Sequence, residues 1–134
     1  MHQLMRILLI PAYLCICGFT SPQNQPDQFY LDKIKDHTPS IVVVHATYPE
    51  TFKATINVFR DLNINILKKD LSGKMILGTH IIQGVLVACS YGVFFTNEDS
   101  GEIKVSVKVH GNWFDGDYVV NKIKDEVELQ KKLE

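Results

Sequence analysis

The stretch "EIKVSVKVH" spans Glu102–His110 and alternates strictly between apolar and polar side chains. In an extended chain Ile103, Val105, Val107 and Val109 point to one side, and the residues between them point to the other. This alternation predicts a strand whose sheet has one face in the core and one face in solvent. The apolar face of such a sheet needs helices to cover it.

Three further strands are predicted immediately upstream: "INILKK" (Ile64–Lys69), "MILGTHII" (Met75–Ile82) and "VLVACSYGVFFT" (Val85–Thr96). The turn "DLSGK" separates the first two, and Gly73 is free to take a positive φ there. Gln83-Gly84 is either a tight turn or part of a strand that continues through it. Four consecutive strands with short connections favour an antiparallel meander.

One strand and one amphipathic helix precede this meander. "SIVVVHAT" (Ser40–Thr47) is rich in β-branched residues and predicts a strand buried on both faces. Thr47 and Glu50 then have the spacing of a capping box, and Pro49 suits a first helical turn. The apolar positions that follow recur with a helical period: Phe52, Ile56, Phe59 and Leu62.

A second helix is predicted at the end of the chain, in "YVVNKIKDEVELQKKLE", where Asp117 can act as the N-cap. Val120, Ile123 and Val127 form its narrow apolar stripe. We therefore predict an α+β fold with the order β-α-β-β-β-β-α. It has an antiparallel four- to five-stranded sheet, two helices covering one face, and a single domain over residues 40–134.

The N-terminal region has the pattern of an export signal. The 13 residues Ile7–Phe19 carry no charge, too few to cross a bilayer as a helix but sufficient for the apolar part of a signal peptide. The amino terminus and Arg6 supply a weak positive region before it. We predict a signal peptide over residues 1–17, then a polar tether with a short helical turn over 18–39. A short membrane anchor and a buried N-terminal helix are the alternatives, and Pro11 argues against the helix.

The sequence Leu14-Cys15-Ile16-Cys17 resembles the lipobox of bacterial lipoproteins, because Leu14 stands three residues before Cys17 and Gly18 follows. The resemblance implies lipidation at Cys17 and a membrane anchor through that lipid. Ile16 departs from the pattern, in which Gly, Ala or Ser is usual. Ordinary signal cleavage after Cys17 or Thr20, giving a secreted protein, is therefore the alternative.

Asp70, Gly73, Ile76 and Gly78 are followed by "KVSVKV" and a short closing helix. Through this pattern, residues 40–130 resemble several families of small bacterial envelope lipoproteins of uncharacterised function. The order of strands and helices is similar to the helix-grip or TATA-binding-protein-like architecture. The resemblance implies this fold and an envelope location, and it transfers no catalytic residue.

Charge and cysteine content exclude some functions. The formal net charge is −1, and loss of the first 17 residues removes one of 14 basic residues (Arg6), leaving 13 against 15 acidic ones, or −2. With no basic patch along the chain, we expect no nucleic-acid partner. Cys89 is the only cysteine beyond residue 17, so no intramolecular disulfide is expected.

Three histidines, His45, His80 and His110, fall on predicted strands, and a metal site would need all of them on one face. His110 belongs to the solvent face, and no H-x-H or H-x-x-x-H pair is present. We therefore expect no metal site. Cys89 is a candidate nucleophile, but its strand parity with Val93 predicts a buried side chain.

The carboxylates of Asp115, Asp117 and Glu98-Asp99 are candidates for cation binding or acid–base chemistry, yet their spacing matches no calcium-binding loop. The chain also carries no phosphate-binding, nucleotide-binding, hydrolase or zinc-protease motif. We accordingly predict a non-enzymatic protein without a cofactor. A hydrolase built on the His and Asp residues is the least supported hypothesis.

The most unusual loop is "GNWFDGDY" (Gly111–Tyr118), which brings Trp113, Phe114 and Tyr118 together between Gly and Asp residues. Aromatic residues in a loop often form protein-contact surfaces. The alternative is that Trp113 and Phe114 fold back over the end of the sheet as a lid on the core.

Two functional hypotheses follow. The first is a membrane-tethered or secreted protein of the bacterial envelope, on the periplasmic side, that acts through contacts with a protein partner. The second is a small-molecule or lipid binder with a cavity on the order of several hundred Å³ beneath the helices. Small residues that could leave such space are Gly78, Gly84, Ala88 and Gly92. The sequence gives no indication of the oligomeric state.

Overall fold

The structure is a computed structural model that describes residues 25–82, 85–111 and 113–134. Three helices and five strands form in this part of the chain. In order they are α1 (Gln25–Ile34), β1 (Ser40–Val44), α2 (Tyr48–Asp61), β2 (Ile64–Asp70), β3 (Met75–Ile82), β4 (Val85–Asn97), β5 (Ile103–His110) and α3 (Gly116–Lys132). The predicted signal peptide, the lipidation site Cys17 and the turn Gln83-Gly84 lie outside the described residues.

The five strands form one open antiparallel sheet in the order β1-β5-β4-β3-β2. Strands β2 to β5 follow one another as a meander, and Ile82 at the end of β3 lies opposite Val85 at the start of β4. Because β1 and β2 are the two edges, the connection between them must cross the whole sheet, and α2 makes that crossing. The predicted α+β fold is confirmed, with α2 and α3 packed on one face.

Local signals explain where α2 begins. The Glu50 amide donates to Thr47 Oγ1 at 3.2 Å, and the Thr47 amide donates to Glu50 Oε1 at 2.9 Å, so the predicted capping box is present. The hydrogen bond from the Thr47 amide, which the ionised carboxylate accepts, is the main cause that lowers the pKa of Glu50. The helix buries one face against the sheet, including Phe52, Val58 and Phe59.

The alternation in β5 places its residues as expected. Ile103, Val105 and Val107 are buried in the core beneath α2 and α3. Lys104 and Lys108, between and beyond them, lie on the other face of the sheet and are partly exposed.

That other face carries α1, a ten-residue helix where only a turn or two was expected. Ile34 at its end is buried and lies against Gly92 of β4, where an added Cβ would come within 2.3 Å of Ile34 Cδ1. The Ile34 side chain thus occupies the space that a side chain at position 92 would take. The described chain has α1 on one face of the sheet and the pair α2 and α3 on the other.

The sequence predicted that strand β1 is buried on both faces, but the structure buries only one of them. Val42 and Val44 face the core, but Ile41 and Val43 are 53 % and 41 % exposed on the α1 side. The reason is that α1 packs on β3, β4 and β5 and leaves this edge strand uncovered.

Two local features differ from what the sequence suggested. In the β2–β3 turn the positive φ belongs to Lys74 (57°), whereas Gly73 is needed for space: a Cβ there would lie 2.3 Å from Asp70 Oδ2. The Asp70 carboxylate occupies that space because it accepts a hydrogen bond from the Gly73 amide at 2.8 Å. At the start of α3 the N-cap is Asp115 rather than Asp117.

Candidate functional site

The segment between β5 and α3 presents aromatic side chains at the surface. Gly111 leaves the strand with a φ of 108°, a conformation that favours glycine. Trp113 is then 52 % exposed, and Tyr118, in the first turn of α3, is 45 % exposed. Phe114 lies between them and packs against the core. We call Trp113, Phe114 and Tyr118 the aromatic patch.

The rings of the aromatic patch contact one another in defined geometries. Phe114 and Tyr118 are stacked, with centroids 5.4 Å apart and planes within 9°. Trp113 meets Phe114 edge-on, with centroids 6.4 Å apart and planes at 81°. Both arrangements are favourable for aromatic pairs. The sequence left two alternatives for these rings, a contact surface and a lid on the core. In the structure Phe114 packs as a lid on the core, whereas Trp113 and Tyr118 are exposed at the surface.

The N-cap of α3 fixes this arrangement. Asp115 Oδ1 accepts a hydrogen bond from the Tyr118 amide at 2.8 Å, which satisfies one of the free N–H groups of the first turn. The same hydrogen bond fixes the position of Tyr118 in the first turn of α3, where its ring lies next to Phe114. Asp115 is therefore a positioning residue for the aromatic patch.

His80 of β3 supports the aromatic patch from below. Its ring centroid lies 5.4 Å from that of Trp113 and 5.7 Å from that of Phe114. The imidazole is covered by these rings, close beneath the surface, and this burial lowers the pKa of His80. Among the described residues Nδ1 of His80 finds no hydrogen-bond partner. A neutral imidazole is thus the form that fits under the patch.

Tyr91 and Cys89 of β4 lie deeper on the same side of the sheet. Burial raises the pKa of the Tyr91 phenol, and the neighbouring Cys89 thiol acts in the same direction. The backbone of Phe114 is its other polar neighbour, but no well-formed hydrogen bond reaches the Tyr91 hydroxyl from the part of the chain that is described. Cys89 is buried, as predicted. Covered groups of this kind are suited to packing rather than to nucleophilic attack.

The three histidines singled out in the sequence lie in three different environments. His45 is exposed and contacts Glu102 through Nε2 and Oε2 at 2.7 Å, whereas His80 is buried under the aromatic patch. His110 contacts His37, a residue that precedes all of the predicted strands. Within residues 25–82, 85–111 and 113–134 no three metal-ligating side chains come together.

The acidic loop residues are also separated. Glu98 and Asp99 precede the first residue of β5, and the loop that holds them is closed by a hydrogen bond from the Glu98 amide to the Glu102 carbonyl at 2.9 Å. Asp115 and Asp117 follow the last residue of β5, at the opposite end of that strand. The structure therefore does not bring these carboxylates together as an acid–base pair.

The small residues proposed to leave a cavity are in contact with their neighbours where the structure describes them. A Cβ on Gly78 would lie 2.7 Å from Ile64 Cγ2 and 2.8 Å from Phe59 Cε2. Gly92 is covered from the other face by Ile34. Gly84 and the Ala88 side chain lie outside the described part. Gly78 and Gly92 thus permit close packing and leave no room of their own.

A surface groove of about 280 Å³ runs between α2 and α3. Val58, Leu62 and Leu129 supply its apolar part, and charged residues such as Lys122 and Asp125 surround them. It is open to solvent and lies on the outer side of the helices, so it differs from the enclosed cavity that the binder hypothesis required.

Comparison with known proteins gives no further guide to this site: no protein-family model matches the chain, and no curated protein shows significant similarity to it. In the described residues, no helix is both long enough and apolar enough to span a membrane.

Proposed function

We propose that this domain is a non-enzymatic contact module that binds a protein partner through the aromatic patch. The observation that carries the proposal is the half-exposed pair Trp113 and Tyr118, held on either side of the packed Phe114 ring. Trp and Tyr contribute disproportionately to binding at protein interfaces. Large exposed rings grouped in one place are unusual on a protein that binds nothing.

The support beneath the patch strengthens this proposal. Phe114 stacks on Tyr118 and also contacts the His80 ring, whose plane is tilted by 48° to it, and Asp115 holds the first turn of α3. Rings that are already ordered lose little conformational entropy when a partner binds. The patch therefore resembles a preorganised interface more than a flexible loop.

The alternative proposal, a small-molecule or lipid binder, has less support. The glycines that this hypothesis needed to leave space, Gly78 and Gly92, are in close contact with Phe59 and Ile34. An enzymatic role has least support, because the candidate histidines and carboxylates are separated and Cys89 and Tyr91 are buried.

We further propose that the protein works in the bacterial envelope, tethered through its N-terminus. The support is the uncharged run Ile7–Phe19 and the lipobox-like position of Cys17. Intact-mass measurement of the mature protein tests removal of the N-terminus, and retention of Met1 would contradict it. Cys17→Ser should release the protein from the membrane fraction if Cys17 carries a lipid. An unchanged membrane fraction would leave secretion after ordinary cleavage as the alternative.

Site-specific crosslinking tests the contact surface. A photoreactive amino acid is placed at Trp113, at Tyr118 and, as control, at Lys53 on the exposed side of α2. The proposal expects the same partner to be captured from positions 113 and 118 and not from 53. Capture from position 53 alone, or of unrelated proteins from each position, would contradict it.

A further inference from the structure

The segment that follows α1 and the end of β5 bring two histidines together. His37 Nε2 lies 3.1 Å from His110 Nδ1, although the residues are 73 positions apart in the chain. Their ring centroids are 5.2 Å apart with the planes at 63°. His37 is exposed and His110 is partly exposed, so solvent reaches the pair.

We propose that His37 and His110 form a binding site for a divalent transition metal ion of the Zn²⁺ or Cu²⁺ type. Imidazole nitrogens are ligands that these ions prefer. With metal–nitrogen bonds of about 2.05 Å, two nitrogens 3.1 Å apart subtend an angle of about 100° at the metal. That angle lies between those of square-planar and tetrahedral coordination, so the distance between the nitrogens suits the ion, and each ring has to turn by about 40° for its lone pair to point at the metal.

Metal binding replaces the hydrogen bond between the rings. In the metal-free pair, one imidazole nitrogen carries the proton and the other accepts it. When both nitrogens bind the ion, the donor ring must carry its proton on its other nitrogen, which exchanges with solvent. Both rings stay neutral and no oxidation or reduction is involved. Low pH opposes binding, because a protonated imidazole has no free lone pair at the ligating nitrogen.

The surroundings set a moderate affinity. The described residues supply no third His, Cys, Asp or Glu ligand to this pair, so water completes the coordination. The Lys108 ammonium, which donates a 3.0 Å hydrogen bond to the Lys35 carbonyl, is a nearby positive charge that weakens binding of a cation. The carbonyl groups at the end of α1 carry partial negative charge and act in the opposite direction.

The site has a structural consequence. His37 lies three residues after the end of α1, whereas His110 ends β5. An ion bound by both would therefore fasten the end of α1 to the sheet, next to the contact between Ile34 and Gly92. Metal binding and docking of α1 should be linked.

Calorimetric titration of the full chain with ZnCl₂, and separately with CuCl₂, tests the proposal on protein without a polyhistidine tag. We expect one equivalent of at least one ion to bind with a dissociation constant below about 100 μM. His37→Ala and His110→Ala should each weaken this binding tenfold or more. His45→Ala, which removes another exposed histidine, should leave it unchanged. Equal binding by all three variants, or no saturable binding of either ion, would overturn the proposal.

Amide hydrogen exchange distinguishes this site from an incidental histidine contact. The bound ion should slow exchange in α1 of the wild-type chain and have no such effect in His37→Gln, a variant that keeps a polar side chain. Circular dichroism of each variant checks that the sheet is folded. Unchanged exchange in α1 of the metal-bound wild-type protein would contradict the proposed clamp.

Discussion

Phe59 lies at the centre of the core between α2 and the sheet. It is fully buried, its ring is 6.4 Å from that of Tyr91, and it fills the space above Gly78. A ring enclosed in this way cannot be replaced by the collapse of smaller neighbours, so its removal leaves a cavity.

Phe59→Ala should therefore lower the free energy of unfolding by about 3–5 kcal/mol, measured by denaturant melting. Lys53→Ala, on the exposed side of the same helix, is the control and should change it by less than about 0.5 kcal/mol. A loss below about 1 kcal/mol for Phe59→Ala would mean that the core is not packed around this ring.

The N-cap of α3 gives a second matched pair. Asp115→Ala removes the acceptor of the Tyr118 amide and should cost about 1 kcal/mol of stability. Asp117→Ala lies two residues further along and removes no cap, so its effect in the same denaturant melt should be smaller. A larger loss from Asp117→Ala would restore the assignment that the sequence first suggested.

His80 makes stability depend on pH in a predictable direction. Burial holds its pKa in the folded state below that in the unfolded state. As the pH falls below about 6.5, the ordinary pKa of histidine, the unfolded chain gains a proton that the folded chain does not, and stability falls.

Melts of the wild-type protein and of His80→Asn between pH 7.5 and 5.5 measure this contribution as the difference between their slopes. The wild-type slope should exceed that of the variant by at most about 1.4 kcal/mol per pH unit, the limit for one proton. Identical slopes would show that His80 takes up protons as readily in the folded state.

Helices α1 and α2 differ in how far the sequence alone can predict them. The start of α2 is determined by nearby residues, because the Thr47–Glu50 capping box and the helical period of the apolar residues after it are both local signals. The position of α1 on the sheet involves the contact between Ile34 and Gly92, two residues that only the folded sheet brings together. For the same reason the His37–His110 contact could not be predicted, because neither residue carries a local signal for the other.

Ile34→Ala tests whether α1 is part of the folded unit. The buried side chain should contribute about 2–5 kcal/mol, with the loss concentrated in faster amide exchange of α1. Phe29→Ala on the same helix is the control, because about half of the Phe29 side chain is exposed, whereas Ile34 is buried. If both variants behave alike, α1 is not held to the sheet by Ile34.

At the scale of the whole molecule, helix α1 and the aromatic patch lie on opposite faces of the sheet. Asp27 near the start of α1 lies 3.9 Å from Lys68 of β2, and His37 after its end lies beside His110 of β5. Helix α1 thus crosses the sheet from the β2 side toward β5. The aromatic patch follows β5 and rests on the opposite face, over His80.

The sequence predicted which residues form this patch, but not which ring is packed against the core and which rings are exposed. Clustered aromatics between Gly and Asp are visible in "GNWFDGDY". Which ring is packed depends on the stacking of Phe114 with Tyr118 and its contact with His80 from another strand. Burial by a distant strand leaves no trace in the local pattern.

The contact proposal assigns different roles to Phe114 and to the two exposed rings. Replacing Trp113 and Tyr118 together by Ala should weaken partner binding by roughly 2 kcal/mol or more, about thirtyfold. Stability should fall much less than for Phe59→Ala, since both rings are about half exposed. Phe114→Ala is the comparison variant and should reduce stability, because this ring packs against the core.

The most direct measurement is the affinity of the Trp113→Ala/Tyr118→Ala variant for the crosslinked partner, determined beside its denaturant melt. The contact proposal predicts a near-normal melt together with about thirtyfold weaker binding. An early melt in which the folded fraction still binds its partner with wild-type affinity would contradict it, and the aromatic patch would then be only a lid on the core.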